Sequence, residues 1–143
     1  MRFGGTPPAR WTAVAVVGLA LSGCGAREDD AGELSATVFA GIDAGACDDG
    51  PSWLSAADWT TVCGTVRASM PPGARLEVGP TIARQSGEIG FRYSSVATFT
   101  DVAGTVRTLT LDYAGAGWSG ARPELSCVTL DRTVLFDADP AGS

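Results

Sequence analysis

The chain predicts an α+β fold, helices first and then an antiparallel sheet, on three observations. Residues 55–70 place apolar side chains at helical spacing. Residues 75–136 alternate apolar and polar with a period of two, broken by short turn signals. The helical signals precede the strand signals, an order that segregates helices to one face of the sheet.

The first segment lies outside that fold. Arg2 and Arg10 give a positive start free of acids, Trp11–Leu21 is an apolar run, and the small residues Ser22 and Gly23 precede Cys24. The run is too short for the ~20 residues that span a bilayer. Leu21-Ser22-Gly23-Cys24 resembles the lipobox of bacterial lipoprotein signal peptides. The resemblance implies diacylglycerol on the Cys24 thiol, removal of residues 1–23 as a signal peptide, and a protein anchored in the cell membrane at its extracytoplasmic face. One acyl chain binds reversibly at about 0.8 kcal/mol per buried CH₂, so two or more make the anchor stable. An ordinary secretory signal with a neighbouring Cys is the bland alternative.

All ten basic residues are Arg, and Lys and His are absent. Two Arg precede Cys24, which leaves eight against sixteen acids and a net charge of −8 from Cys24 onward. So acidic a domain disfavours nucleic acid and anionic lipid surfaces as partners. Abundant Ala and Gly, with Arg in place of Lys, suggest a GC-rich genome. Without His there is no Ser-His-Asp triad, Cys-His pair or imidazole acid–base catalyst. Without Lys there is no Schiff base and no P-loop. No Cys-x-x-Cys occurs, and the Asp48-Asp49 pair lacks calcium-loop spacing. The expectation is therefore a non-enzymatic domain without metal or cofactor.

With Cys24 taken by lipid, Cys47, Cys63 and Cys127 remain, enough for one disulfide and one free thiol in an oxidising compartment. Cys47–Cys63 is preferred because it pins a loop to a helix. Of the other two possible pairings, Cys63–Cys127, joining helix to sheet, is the nearer alternative. The odd thiol reads as a core residue, since no Lys or His is available to activate it.

The elements run in order along the chain. Residues 24–33, the lipidated Cys and GAREDDAGE, form a short acidic tether. A single domain spans 34–136. Leu34–Ala46 has Leu34, Val38, Phe39 and Ile42 at helical spacing and is preferred as a helix, with a strand at Thr37-Val38-Phe39 as the alternative, and Cys47–Pro51 reads as a turn. Ser55 caps the helix over 55–70, with Asp58 at the capping-box position. Trp59, Val62, Cys63, Val66 and Met70 make its apolar stripe, and Pro71-Pro72-Gly73 stops it. Leu76, Val78 and Ile82 share one face of a strand over 75–83, with Pro80 marking an edge or bulge. Arg84–Gly87 is a turn. Ile89, Phe91, Tyr93, Ala97 and Phe99 line the next strand, and Asp101–Gly104 turns the chain. Leu109, Leu111 and Tyr113 line the third strand, with Arg107 and Asp112 directed to water or a partner. Ala114–Gly117 is a turn, and a last strand, interrupted at Asp131-Arg132, lies within 125–136. Residues 137–143 are a disordered tail.

The helix over 55–70, strands over 75–83, 89–100 and 105–113, and the closing Gly117-Trp118 resemble the NTF2-like and cystatin-like domains of secreted actinobacterial lipoproteins. Residues 119–136 depart from that pattern, with an added Pro-containing stretch and a further strand, and a small β-sandwich is the alternative. The anchor and the missing catalytic groups point to binding of a cell-envelope protein. Within it, Trp118 and Arg122 of the Trp118–Pro123 segment are the candidate interaction residues. The resemblance implies instead an apolar small-molecule or lipid pocket, with Trp53, Trp59, Tyr93, Phe99, Tyr113 and Trp118 as candidate lining. A ketosteroid-isomerase-like reaction needs only a carboxylate base and a tyrosine donor. Asp112 and Tyr113 are of the right types, but alternation sends them to opposite faces of their strand.

Overall fold

The computed structural model describes residues 28–87, 90–115 and 122–138. Two helices pack on one face of a five-stranded antiparallel sheet, an α+β fold as expected. All five strands of the described residues lie in one sheet, which gives the sandwich alternative no second sheet among them.

Helix α1 includes residues 28–43, so helix is present N-terminal of the expected start at Leu34. Ala31, Ser35, Val38 and Ile42 are buried at successive helical turns. The acidic stretch read as a tether is, from residue 28, part of this helix. Its charge argued against packing, but Glu28, Asp29 and Glu33 are exposed on the helix and leave Ala31 to face inward. The small Ala31, fully buried, supplies the inward contact.

Helix α2, Ala56–Ser69, has the cap that the sequence announces: the Asp58 N–H donates to Ser55 Oγ at 3.1 Å, and that hydroxyl donates to Asp58 Oδ2 at 2.8 Å. Trp59, Val62, Cys63 and Val66 face the core. A disulfide joins Cys47 to Cys63, the preferred pairing. The Trp59 indole N–H donates to the Ala46 carbonyl at 2.7 Å, a second tie on the same connection.

The strands β1 (Glu77–Gly87), β2 (Gly90–Thr100), β3 (Val106–Gly115), β4 (Glu124–Leu130) and β5 (Thr133–Asp137) lie in chain order, a simple meander. Phe91, Tyr93, Ala97 and Phe99 on β2 and Leu109, Leu111 and Tyr113 on β3 are buried against the helices, as their alternation indicates. Ser35 on α1 donates to the buried Tyr113 hydroxyl at 2.8 Å.

β1 differs most from its reading. It is an edge strand, and its register shifts between Val78 and Thr81, around Pro80. Val78 and Ile82, expected inside, are 60% and 44% exposed. Leu76 is buried, but it precedes the strand and is held by its own N–H donating to Asp43 Oδ1 at 2.8 Å. Its inward direction therefore does not set the pleat of β1. Residues 84–87, read as a turn, continue β1 and pair with β2 as far as Gly87 opposite Gly90. Ile89 lies outside the described residues.

Ala114 and Gly115, also read as a turn, belong to β3. The interrupted last strand is a hairpin, β4 and β5, with Asp131-Arg132 at its turn. Asp131 adopts φ +54°, a left-handed conformation that Asp tolerates. Its carboxylate accepts the Thr108 N–H at 2.9 Å and the Arg107 guanidinium, which holds it below the usual carboxylate range, the backbone bond contributing most. Asp137, assigned to the tail, pairs with Cys127 in β5. Residues 139–143 lie outside the described residues.

Candidate functional site

A groove of about 700 Å³ opens between α1, the connection before α2 and the β4–β5 end of the sheet. Its floor is an extension of the core. Leu34 from α1, Leu54 from the connection, Leu125 from β4 and Phe136 from β5 all pack on the buried cluster while lining the groove. Trp53, 40% exposed, lines it beside Leu54. Asp30 and Glu33, with Thr37, reach the groove because positions three and four apart share one side of a helix. Arg122 and Glu124 bring charge from the segment entering β4. The arrangement is an apolar floor with a charged rim, three carboxylates against one guanidinium.

The disulfide contributes to this site. Trp53 and Leu54 lie in the loop that Cys47 and Cys63 close. Cross-linking that loop to α2, together with the Trp59–Ala46 hydrogen bond, holds it against the core at Cys47.

A second concavity of about 550 Å³ lies where the ends of α1 and α2 meet the 73–75 turn, and it is more open to solvent. Two of its three charged groups are engaged within the fold: Asp43 holds the Leu76 N–H and lies 4.0 Å from Arg75. For that reason the Trp53 groove is the better candidate site.

The structure separates the residues singled out in the sequence. Arg122 is exposed and lines the groove, whereas Trp118 lies outside the described residues, as do Leu21, Ser22, Gly23 and Cys24. Of the six aromatics proposed as pocket lining, Trp59, Tyr93, Phe99 and Tyr113 are instead core residues, and Trp53 lines the groove. The groove residues that the sequence did not disclose are Asp30 and Glu33, hidden in an apparent tether, and Leu34, Leu54, Glu124, Leu125 and Phe136. No local pattern marks them, because four separate segments meet there.

Asp112 and Tyr113 sit on opposite faces of the sheet. Ser94 Oγ donates to Asp112 Oδ1 at 2.5 Å and receives the Arg84 Nε–H at 3.2 Å, while Tyr113 points at Ser35 in the core. Burial pushes the Tyr113 hydroxyl up to about 12, with the Ser35 bond opposing. A base and a donor so divided cannot act on one substrate. Cys127, the unpaired thiol among the described cysteines, is half-buried on the Asp112 side rather than in the core. Burial first, and then Asp112 and Asp137, push its pKa up, which disfavours the reactive thiolate. Among the described residues no group of three His, Cys, Asp or Glu is placed to hold a metal ion. Among them, too, no helix is long and apolar enough to cross a membrane.

No family model, curated protein or solved structure matches this chain.

Proposed function

We propose that this chain is a lipid-anchored, extracytoplasmic lipoprotein whose folded domain is a non-enzymatic binding module that engages a cell-envelope protein through the Trp53 groove. The observation that carries the reading is the groove's composition: an exposed Trp and an Arg, the residue types enriched at binding hot spots, beside an apolar floor. Its position supports the same reading. Residue 28 is four positions after Cys24, a reach of at most about 14 Å, and Asp30 and Glu33 follow within two helical turns. An anchor on Cys24 therefore holds the groove close to the membrane surface, where envelope partners are found. The disulfide supports an oxidising compartment.

The test is photo-crosslinking in intact cells. A photoreactive residue at position 53 or 122 should give a discrete protein adduct, while one at exposed Val106 on β3 should not. Equal labelling from all three positions, or none, overturns the reading. Cys24→Ala should remove the protein from the membrane fraction, and unchanged fractionation would overturn the anchor. A small apolar ligand is the second reading, favoured by a volume within the 300–1,000 Å³ of small-molecule sites. A native mass above the chain mass that is lost on denaturation would bring it forward.

A further inference from the structure

The rim of the Trp53 groove is unevenly charged. Asp30, Glu33 and Glu124 face one cation, Arg122. None of the three ion pairs found among the described residues includes any of these four groups; those pairs are Arg75–Asp43, Arg107–Asp101 and Arg107–Asp131. The three rim carboxylates are therefore not neutralised by Arg elsewhere in the described fold. Beneath them the floor of Leu34, Leu54, Leu125 and Phe136 is apolar, and Trp53 adds an aromatic surface.

We propose that this groove selects a basic peptide segment of its partner, one that places a bulky apolar side chain on the Leu34–Phe136 floor while flanking Arg or Lys side chains meet Asp30, Glu33 and Glu124. The inference rests on the binding reading above and deepens it by naming the partner's chemistry. Three arguments carry it. The carboxylates outnumber the guanidinium three to one, so an acidic segment meets repulsion and a basic one attraction. The excess of sixteen acids over eight Arg from Cys24 onward extends the same sign over the domain and steers a basic segment toward it. The floor accepts the apolar side chain that gives such a contact its affinity, and an exposed Trp beside it stacks on a cation or packs on an aliphatic stem. The same carboxylates repel an anionic lipid surface, so the groove does not serve as a headgroup site.

The experiment measures fluorescence polarisation of two end-blocked, labelled peptides with the full-length protein in non-ionic detergent. One peptide is Arg-Leu-Trp-Leu-Arg and the other has Glu in place of both Arg. The expected result is that the basic peptide binds at least about tenfold more tightly, with affinity falling as salt rises. The triple variant Asp30→Asn, Glu33→Gln, Glu124→Gln should lose about tenfold or more for the basic peptide and nothing for the acidic one. Because these side chains lie at the rim, its thermal midpoint should stay within a few degrees of wild type. Should that variant unfold, Glu33→Gln with Glu124→Gln, both exposed residues, gives the same readout. Acidic binding equal to or tighter than basic overturns the charge preference but leaves the groove as a binding site. If neither peptide binds while position 53 still crosslinks in cells, the basic-segment inference fails and the binding reading stands. If neither peptide binds and position 53 gives no adduct, both fail.

Discussion

Removing the Cys47–Cys63 bond is the most informative perturbation of the fold. The two cysteines are 16 residues apart, and closing a loop of that size lowers the entropy of the unfolded chain by an amount worth about 3 kcal/mol. Cys63 is fully buried, so Cys63→Ala also removes core contacts, worth about 1 kcal/mol. The double variant Cys47→Ala, Cys63→Ala should therefore lose about 3–4 kcal/mol. It should still fold, because the Trp59–Ala46 hydrogen bond and the packing of Trp59 continue to hold the connection. With a urea slope of about 1.5–2 kcal/mol per molar, the midpoint falls by about 2 M. Equilibrium urea unfolding measures this, with the reduced wild type as a second reference that keeps both side chains. The reduced protein should show the entropic part alone, near 3 kcal/mol. A loss below about 1 kcal/mol in both proteins would refute the argument, since the unfolded chain would then gain little freedom from the cut. Loss of adducts from position 53 without a change in midpoint would instead confine the bond's role to the groove wall.

Three further outcomes are expected. A Cβ on Gly50 would lie 2.3 Å from Trp59 Cγ, so Gly50→Ala should cost about 1–3 kcal/mol, whereas Gly64→Ala, in open space within α2, should stabilise by about 0.5–1 kcal/mol; urea midpoints of both variants check this. The Tyr113 hydroxyl is held near 12 in the folded protein against 10 in the unfolded chain, so its contribution is full below pH 10 and is lost as pH rises through 12. Two pH units correspond to about 2.7 kcal/mol, so wild type should lose stability relative to Tyr113→Phe between pH 9 and 11.5, and parallel curves in chemical unfolding would refute it. Asp131 is depressed by the Thr108 N–H and Arg107, so its contribution is present above the ordinary carboxylate range and is lost as pH falls through its lower folded value. Asp131→Asn keeps a residue that tolerates φ +54°, and its stability deficit at pH 7 should shrink as pH falls below the ordinary carboxylate range, as read from a series of thermal midpoints.

Much of the fold is legible without coordinates. The cap at Ser55, the stripe from Trp59 to Val66 and the alternation on β2 and β3 follow from local rules, because each depends on residues close in the chain or on a strict period, whereas the Cys47–Cys63 pairing was only preferred to Cys63–Cys127 until the structure settled it. The α+β class follows from their order. The hairpin at Asp131-Arg132 was visible only as an interruption.

Tertiary structure decided what local rules underdetermine. Whether an acidic stretch is a tether or a helix depends on one small residue, Ala31, finding a core to enter. Which way Val78 and Ile82 point depends on an edge position and a bulge, and a one-residue shift reverses every side chain on a strand. The groove depends on more still. Asp30, Trp53, Arg122 and Phe136 come from four segments, and no period or spacing relates them until the meander brings the β4–β5 end beside α1. Periodicity determined which residues are buried wherever burial is a matter of one helix or one strand against the core. The surface that meets a partner was settled only in three dimensions, because it is made where the elements end and meet.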